Sequence, residues 1–185
     1  MEKNISLNVI LDEIKTVISS VDERKLTACA NAFKKEKRIF IDGEGRSGLM
    51  GKAFAMRLMH IGYNSYAVGE TITPSVKEGD IYISISGSGE TSFVVQNAEK
   101  AKKIGCQLIG VTSKEGSSLA SISDFLVIVP GTTKGDSGES RKSIQLLSTL
   151  FDQSVHIILD YICLLISKRD NVSNEMAIKK HSNME

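Results

Sequence analysis

The amino-acid sequence predicts an α/β protein in which helices cover both faces of a five-stranded parallel sheet. Five short apolar runs are typical of strands, and most of them alternate with segments whose apolar residues recur at helical spacing. The chain has 185 residues, of which 41% are hydrophobic and 24% charged, which suits one soluble domain with a sizeable core. Right-handed crossover connections would then give a three-layer α-β-α sandwich.

Two helices are expected before the first strand. The first has an apolar stripe that begins at Leu7 and ends at Ile18. The second is expected to begin after Asp22 as its N-cap, with Val21 and Leu26 at the two positions of a hydrophobic staple. Because both helices precede the sheet, we expect them to pack outside it or to form a contact between subunits.

The sheet and its helices are expected from residue 38 onward. The predicted strands are 38–42, 64–68, 80–86, 106–112 and 125–130. The predicted helices are 49–60, 90–104, 117–123 and 144–168, the second of them ending at Gly105. The last helix is apolar on nearly all sides, which indicates burial and, in a chain of this size, a subunit interface.

The whole chain, residues 1–185, is expected to form a single domain. N-terminal helices in 1–36 precede an α/β core in 37–170, and a tail in 171–185 is expected to contribute to a site or an interface. The loop 130–142 is the one long polar stretch, and loops of that length are often functional.

Composition argues against several classes of function. The 23 Lys and Arg residues nearly balance 22 Asp and Glu, so no basic surface for nucleic acid is indicated. The three cysteines are far apart, which argues against disulfides and a zinc site. The N-terminus lacks the apolar core of a signal peptide, and the apolar stretch 155–166 is too short for a membrane span and contains Asp160. We therefore expect a cytoplasmic protein.

A first glycine-rich turn, GEGRSG at 43–48, lies between a predicted strand and a predicted helix. It fits G-x-G-x-x-G, the fingerprint of dinucleotide-binding folds, and Glu70 after the next strand could bind a ribose hydroxyl. The motif alone is weak, and Glu70 lies farther along the chain than the usual spacing of about 20 residues. A dinucleotide-dependent oxidoreductase is thus one hypothesis, which bound NAD(P) or flavin after purification would support.

A second turn, SGSGET at 86–91, also follows a strand and opens a helix. Its small residues would let backbone N–H groups approach an anion at the helix N-terminus, and its three hydroxyls would add neutral donors. The sequence lacks the G-K-[ST] of a nucleotide P-loop, so a single phosphate ester suits the turn better than a pyrophosphate. The alternative is a polar turn that caps the helix.

Several segments together resemble the 6-phospho-3-hexuloisomerases of the sugar isomerase (SIS) domain family. The segments are GEGRSGLMGKAFAMRLMHIGYN, VGETITP, SISGSGETS, SIQLLSTLFDQ and the terminal HSNME. The resemblance implies a five-stranded SIS fold of flavodoxin-like or Rossmann-like type, assembled as a homotetramer. It implies isomerisation of D-arabino-hex-3-ulose 6-phosphate to D-fructose 6-phosphate in the ribulose monophosphate pathway of formaldehyde fixation. A 3-hexulose-6-phosphate synthase would supply the substrate, and the resemblance implies no metal and no organic cofactor.

The resemblance also implies roles for particular residues. The family's base is a glutamate in a pattern close to Q-P-M-G-S-L-F-E-Q, and the matching position in Q-L-L-S-T-L-F-D-Q is Asp152. The residues that it implies for substrate and phosphate binding are Gly45, Ser47, Ser86, Gly87, Ser88, Gly89, Glu90, Thr91 and Ser92. Two positions depart from the family, since Asp152 is one methylene shorter than glutamate and Glu44 replaces a small residue. A sugar-phosphate sensor without catalysis, or a base other than Asp152 such as Glu44, is the alternative.

An enediol reaction needs a second proton carrier beside the base. Our candidates are His181, which could reach a neighbouring subunit's site from the tail, and Glu70 at the same sheet edge as the two turns. His156 is spaced to touch Asp152 on one helix face, although a surface or interface pair is the simpler interpretation. Arg46 and Lys52 flank the first turn and could balance phosphate charge.

Overall fold

The computed structural model describes residues 6–184, so residues 1–5 of the predicted N-terminal segment and Glu185 of the HSNME terminus lie outside the described residues, as does the side chain of Ser140. Within the described range, one sheet of five parallel strands has the order β2-β1-β3-β4-β5. The strands are β1 (Arg38–Gly43), β2 (Asn64–Ala67), β3 (Ile81–Ile85), β4 (Gln107–Thr112) and β5 (Phe125–Ile128). The predicted sheet is confirmed.

Helices cover both faces of this sheet. They are α1 (Leu7–Ser19), α2 (Glu23–Ala32), α3 (Gly45–His60), α4 (Ser92–Ile104), α5 (Ser118–Ile122), α6 (Thr149–Arg169) and α7 (Asn174–Ile178), with a 3₁₀ turn at Gly138–Ser140. α3 and α2 pack on one face with α6 against them, α1 packs on α6, and α4 and α5 cover the other face. The predicted three-layer sandwich is confirmed, and the division into one domain with a tail stays a prediction.

Local chemistry explains where these elements begin and end. β3 is buried along its whole length, as its apolar run requires of a central parallel strand. The Asp22 side chain accepts a hydrogen bond from the Arg24 N–H and so caps α2, as predicted. Gly105 ends α4 with a left-handed φ of 98°.

The predicted start of the last helix is wrong. α6 begins at Thr149 rather than at residue 144, because Leu147 has a positive φ of 51° that helical backbone does not allow. The residues from 144 to 148 form instead an irregular lead into the helix. α3 begins earlier than predicted, at Gly45.

The inference that the apolar stretch 155–166 is too short to span a membrane needs correction, because this stretch belongs to the longer helix α6. Its 21 residues are long and apolar enough to cross a bilayer, so length alone does not exclude a span. The helix packs against α1, α2 and α3, and its inner side is buried in the larger of the two hydrophobic clusters. This packing is typical of a core helix in a soluble protein.

The strand order locates the expected ligand crevice. β1 pairs with β2 on one side and with β3 on the other. The chain therefore adds β2 toward one edge of the sheet and β3 to β5 toward the other, which makes the point between β1 and β3 a topological switch point. In open parallel sheets, ligands bind outside the carboxyl ends of the strands at such a switch point. The first glycine-rich turn follows β1, and the second follows β3.

Candidate active site

The first turn owes its glycines to the close approach of β1 and α3. A Cβ at Gly48 would lie 2.3 Å from the Gly43 carbonyl oxygen, so no larger residue fits there without a shift of backbone. Gly45 opens α3 with a φ of 59°, a conformation that costs other residues free energy. The turn therefore presents Ser47 on the first helical turn, directly above the end of β1.

Ser47 meets the predicted base. Its hydroxyl donates a hydrogen bond of 2.8 Å to Asp152 Oδ1, linking the first turn of α3 to the first turn of α6. Arg46 lies on the same side, with Nε 4.0 Å from Asp152 Oδ2 and a 2.7 Å hydrogen bond from its guanidinium to Thr149 Oγ1. The two residues that the resemblance implied as binding residue and base are in contact.

The Asp152 carboxyl is almost fully buried, with 1% of the residue exposed. Burial raises its pKa above the ordinary aspartate value, while the Ser47 hydrogen bond and the Arg46 charge both act to lower it. A buried carboxylate with a raised pKa and one fixed oxygen is what a general base needs, because its basicity then moves toward the working pH.

The second turn is braced by its own hydroxyls. Ser86 Oγ lies 2.8 Å from Thr91 Oγ1 and accepts a 3.1 Å hydrogen bond from the Gly89 N–H. Ser88 Oγ accepts from the Glu90 N–H at 3.2 Å. These bonds hold the turn in front of α4, whose first N–H groups lack partners within the helix and carry the positive end of its dipole.

Two glycines of this turn have separate structural reasons. Gly89 has a φ of 68°, and a Cβ there would lie 2.1 Å from Ser117 Oγ. A Cβ at Gly87 would lie 3.1 Å from carbon atoms of the Phe151 and Thr133 side chains. The Gly87 carbonyl also accepts hydrogen bonds from the Ser113 N–H at 3.0 Å and the Ser113 hydroxyl at 2.7 Å, which ties the turn to the end of β4. Close packing and hydrogen bonds therefore both fix the shape of this turn.

Residues of both turns line one cleft of about 240 Å³ at the switch point. Its lining residues are Glu44, Gly45, Arg46, Ser47, Gly87, Ser88, Thr91, Thr133, Lys134, Leu147, Ser148 and Asp152. Six of the predicted site residues meet in it, namely Gly45, Ser47, Gly87, Ser88, Thr91 and Asp152.

Four other predicted residues of the second turn have different positions. Ser86 and Gly89 are buried beneath the cleft and support it. The Glu90 carboxylate accepts bonds from the N–H and hydroxyl of Ser118, both at 2.7 Å, so it caps α5 rather than facing the cleft. Ser92 Oγ accepts from the Gln96 amide on the exposed side of α4. Their roles in substrate binding stay a prediction, and in this structure their side chains make the contacts just described.

The two predicted partners of the base do not line this cleft. Glu70 forms a 2.5 Å ion pair with Lys52 on the outer side of α3. His181 stacks on His60, with ring centroids 5.0 Å apart. His60 lies 13 residues beyond Ser47 on α3, about 20 Å at the helical rise, so His181 is at the far end of the helix from its own cleft.

The third histidine pairs with a different carboxylate from the one considered in the sequence. His156 Nε2 lies 3.9 Å from Asp160 Oδ2, and about half of each side chain is exposed, so the pair that the structure forms on α6 is His156 with Asp160. Among residues 6–184, no group of three or more His, Cys, Asp and Glu side chains is arranged to hold a metal ion.

Part of the cleft comes from residues that the sequence reasoning did not select. Thr133 and Lys134 follow β5, and Leu147 and Ser148 precede α6. Ser148 Oγ accepts a 3.0 Å hydrogen bond from the Lys134 N–H, which joins the two segments. The long polar loop 130–142 and the neighbouring pattern Q-L-L-S-T-L-F-D-Q were the signals that pointed to this region.

Comparison with known proteins identifies the family. The model of the SIS domain matches residues 32–157, which include both turns and Asp152. The chain belongs to the SIS domain family. The family resemblance seen in the sequence is thereby confirmed, and the dinucleotide-binding hypothesis is not supported.

Relatives within the family are similar over nearly the whole chain. A protein of Methanocaldococcus jannaschii is 38% identical over 99% of this chain and 97% of its own, and one of Bacillus subtilis is 36% identical over 95% of each. Both are named 3-hexulose-6-phosphate isomerase, a synonym of 6-phospho-3-hexuloisomerase. A crystal structure of a hypothetical protein from Methanococcus jannaschii, for which that function was inferred, superposes with a TM-score of 0.81 at 35% identity, covering 97% of this chain and 98% of the other.

Proposed function

We propose that the protein isomerises D-arabino-hex-3-ulose 6-phosphate to D-fructose 6-phosphate through an enediol. The observation that carries the proposal is the buried Asp152 carboxylate, held by Ser47 in a cleft that residues of the turn before α4 also line. Two relatives named 3-hexulose-6-phosphate isomerase support the same reaction. They are 36% and 38% identical to this chain over 95% and 97% of their own length. They do not favour a sensor without catalysis.

The phosphate binds at the second turn in this proposal. Gly87, Ser88 and Thr91 line the cleft there. The first N–H groups of α4 have no partners within the helix, and the helix dipole favours an anion at this end. A phosphate fixed at this point acts as a remote handle, which sets the reacting carbons of the sugar against the base.

Asp152 acts as the base. Its carboxylate removes the proton from C2 of the hexulose and returns it to C3, so that the carbonyl moves from C3 to C2. The Ser47 bond fixes Oδ1, and Oδ2, which lies 4.0 Å from Arg46 Nε, is the oxygen that takes the proton. Aspartate and the family's glutamate carry the same carboxylate, so they share the same acid–base chemistry. They differ by one methylene, and hence in how far the carboxylate extends toward the substrate.

A second group moves the proton between the two oxygens. Glu70 and His181 remain our candidates from the sequence. Since His181 lies far from the cleft of its own chain, its role requires the tail to enter a neighbouring subunit's site.

A homo-oligomer is part of the proposal, with a tetramer as the assembly that the family resemblance implies. Apolar side chains remain exposed on neighbouring helices, Leu49 and Met56 on α3 and Ile157 and Leu164 on α6. Burying such surface against another copy would be favourable. We place the enzyme in the cytoplasm, after a 3-hexulose-6-phosphate synthase in formaldehyde assimilation by the ribulose monophosphate pathway.

Direct turnover tests the function. Purified protein is incubated with D-arabino-hex-3-ulose 6-phosphate, and fructose 6-phosphate is followed through a coupled dehydrogenase assay. We expect turnover by the wild type. Binding of the sugar phosphate without any turnover would point to the sensor instead. The variant Asp152→Glu tests reach, because a gain in kcat would show that the added methylene improves contact with the substrate.

A further inference from the structure

The cleft depends on a short segment that joins the polar loop to α6. We call residues 143–148 the lead segment. Leu147 and Ser148, at its end, line the cleft, and the Asp152 N–H donates a 2.9 Å hydrogen bond to the Ser148 carbonyl. The position of this segment therefore sets both a wall of the cleft and the first turn of the helix that carries Asp152.

A single carboxylate on the N-terminal helix holds the beginning of the lead segment. Glu13 Oε2 accepts hydrogen bonds from Ser143 Oγ at 2.6 Å and from the Gln145 side-chain amide at 3.0 Å. Glu13 Oε1 accepts from the Ile144 N–H at 2.8 Å. Three consecutive residues are thus fixed to α1, and bonds to a charged acceptor are stronger than neutral ones.

The end of the lead segment has a conformation that needs such support. Leu147 has a φ of 51°, in the left-handed region that disfavours residues with a side chain. A non-glycine residue stays there only when its surroundings impose it. The Arg141 guanidinium donates to the carbonyls of Gln145 and Leu147, which adds a second anchor between Glu13 and the cleft.

We propose that Glu13 is a positioning residue for the reaction: its carboxylate fixes the lead segment and thereby the cleft wall at Leu147 and the placement of Asp152. The inference rests on the proposed function, because it concerns the base of that reaction. Glu13 lies on α1, an element outside the two turns that the family motifs pick out, and it does not line the cleft.

The geometry predicts an asymmetric effect on the kinetics. The phosphate turn before α4 is braced by the hydroxyls of Ser86, Ser88 and Ser113, whereas Glu13 binds residues 143–145 of the lead segment. Loss of Glu13 should leave phosphate binding intact and move the base, and a displacement of about 1 Å can cost on the order of a hundredfold in rate. A kcat effect without a KM effect is therefore the expected signature.

The experiment compares Glu13→Ala, Glu13→Gln and the control Asp12→Ala in the full-length protein. Asp12 is the exposed neighbour on the same helix, so its variant makes the same charge change. We expect kcat to fall about 10- to 100-fold in Glu13→Ala, to recover partly in Glu13→Gln and to stay unchanged in Asp12→Ala. Inhibition by inorganic phosphate should stay within about twofold of the wild type in all three, because the phosphate turn is untouched.

Hydrogen exchange gives a readout that does not need turnover. Backbone amides of residues 143–152 should exchange faster in Glu13→Ala than in the wild type or in Asp12→Ala, since exchange reports local opening. Unchanged exchange would overturn the claim that Glu13 holds the segment. Faster exchange with wild-type kcat would overturn the claim that the segment positions the base. An inactive wild type would defeat the proposed function instead, and exchange would still decide whether Glu13 holds the segment.

Discussion

Replacing Asp152 by asparagine should remove catalysis while leaving the fold at least as stable. The amide is nearly isosteric and can still accept the 2.8 Å hydrogen bond from Ser47, but it cannot take a proton from carbon. A positioned general base contributes typically a factor of about 10²–10⁴ in rate, which corresponds to roughly 3–5 kcal/mol of activation free energy. We therefore expect kcat to fall by that factor, with KM little changed.

The stability effect has the opposite sign. Burial raises the folded-state pKa of Asp152 above the ordinary value of 3.8, so the ionised carboxylate is less favourable in the fold than in the unfolded chain. This cost is absent below the ordinary pKa and is fully present once the pH exceeds the raised one. At neutral pH, Asp152→Asn removes it, and the melting temperature should rise or stay constant.

Asp160→Asn on the same helix is the matched control. Asp160 is half-buried, pairs with Arg57 and His156 and does not line the cleft, so its variant should keep wild-type kcat. The assay is turnover of hex-3-ulose 6-phosphate together with thermal unfolding of each variant. A kcat for Asp152→Asn within about threefold of the wild type would refute Asp152 as the base, because a base is expected to contribute far more.

Three further outcomes follow from the same geometry. Ser47→Ala removes the hydrogen bond that lowers the Asp152 pKa, so the acid limb of the kcat–pH profile should move to higher pH, and an unmoved limb would contradict this. Gly89→Ala should lower the free energy of unfolding by at least about 1–2 kcal/mol, because Gly89 has a φ of 68°, and it should also weaken phosphate binding. Thermal unfolding and phosphate titration measure the two effects. The control Gly116→Ala, whose Cβ would have nothing within 4 Å, should show neither. Glu44→Gln should tighten inorganic phosphate binding about two- to fivefold, the size of an exposed charge interaction, and a large loss of kcat would instead make Glu44 the base.

Much of this arrangement could be predicted from local sequence. Apolar runs and helical periodicity predict the sheet, and the two glycine turns predict which edge carries the ligand. Asp22 and Gly105 act as the helix ends that their residue types favour. Spacing along the chain could not predict that Ser47 touches Asp152, because 105 residues separate them. The family motif supplied both positions, and the fold supplied the contact.

Other features depend on long-range contacts that no local pattern records. The apolar residues of the lead segment continue the helical pattern of α6, yet the segment is irregular because Glu13 and Arg141 bind its polar groups. Glu90 lies in a turn whose sequence predicts phosphate binding, but its carboxylate caps α5 because the fold brings Ser118 beside it. Sequence reasoning therefore missed Thr133, Lys134, Leu147 and Ser148 as cleft residues.

Solvent exchange at the reacting carbon tests the central claim most directly. Fructose 6-phosphate is incubated with the protein in D₂O, and deuterium at each carbon is followed by NMR. In the reverse reaction, Asp152 removes the C3 proton of fructose 6-phosphate, and a deuteron from solvent can return to C3. The account therefore predicts deuterium at C3 with the wild type and none with Asp152→Asn. Deuterium at C1, or equal incorporation at C3 by wild type and variant, would contradict the account.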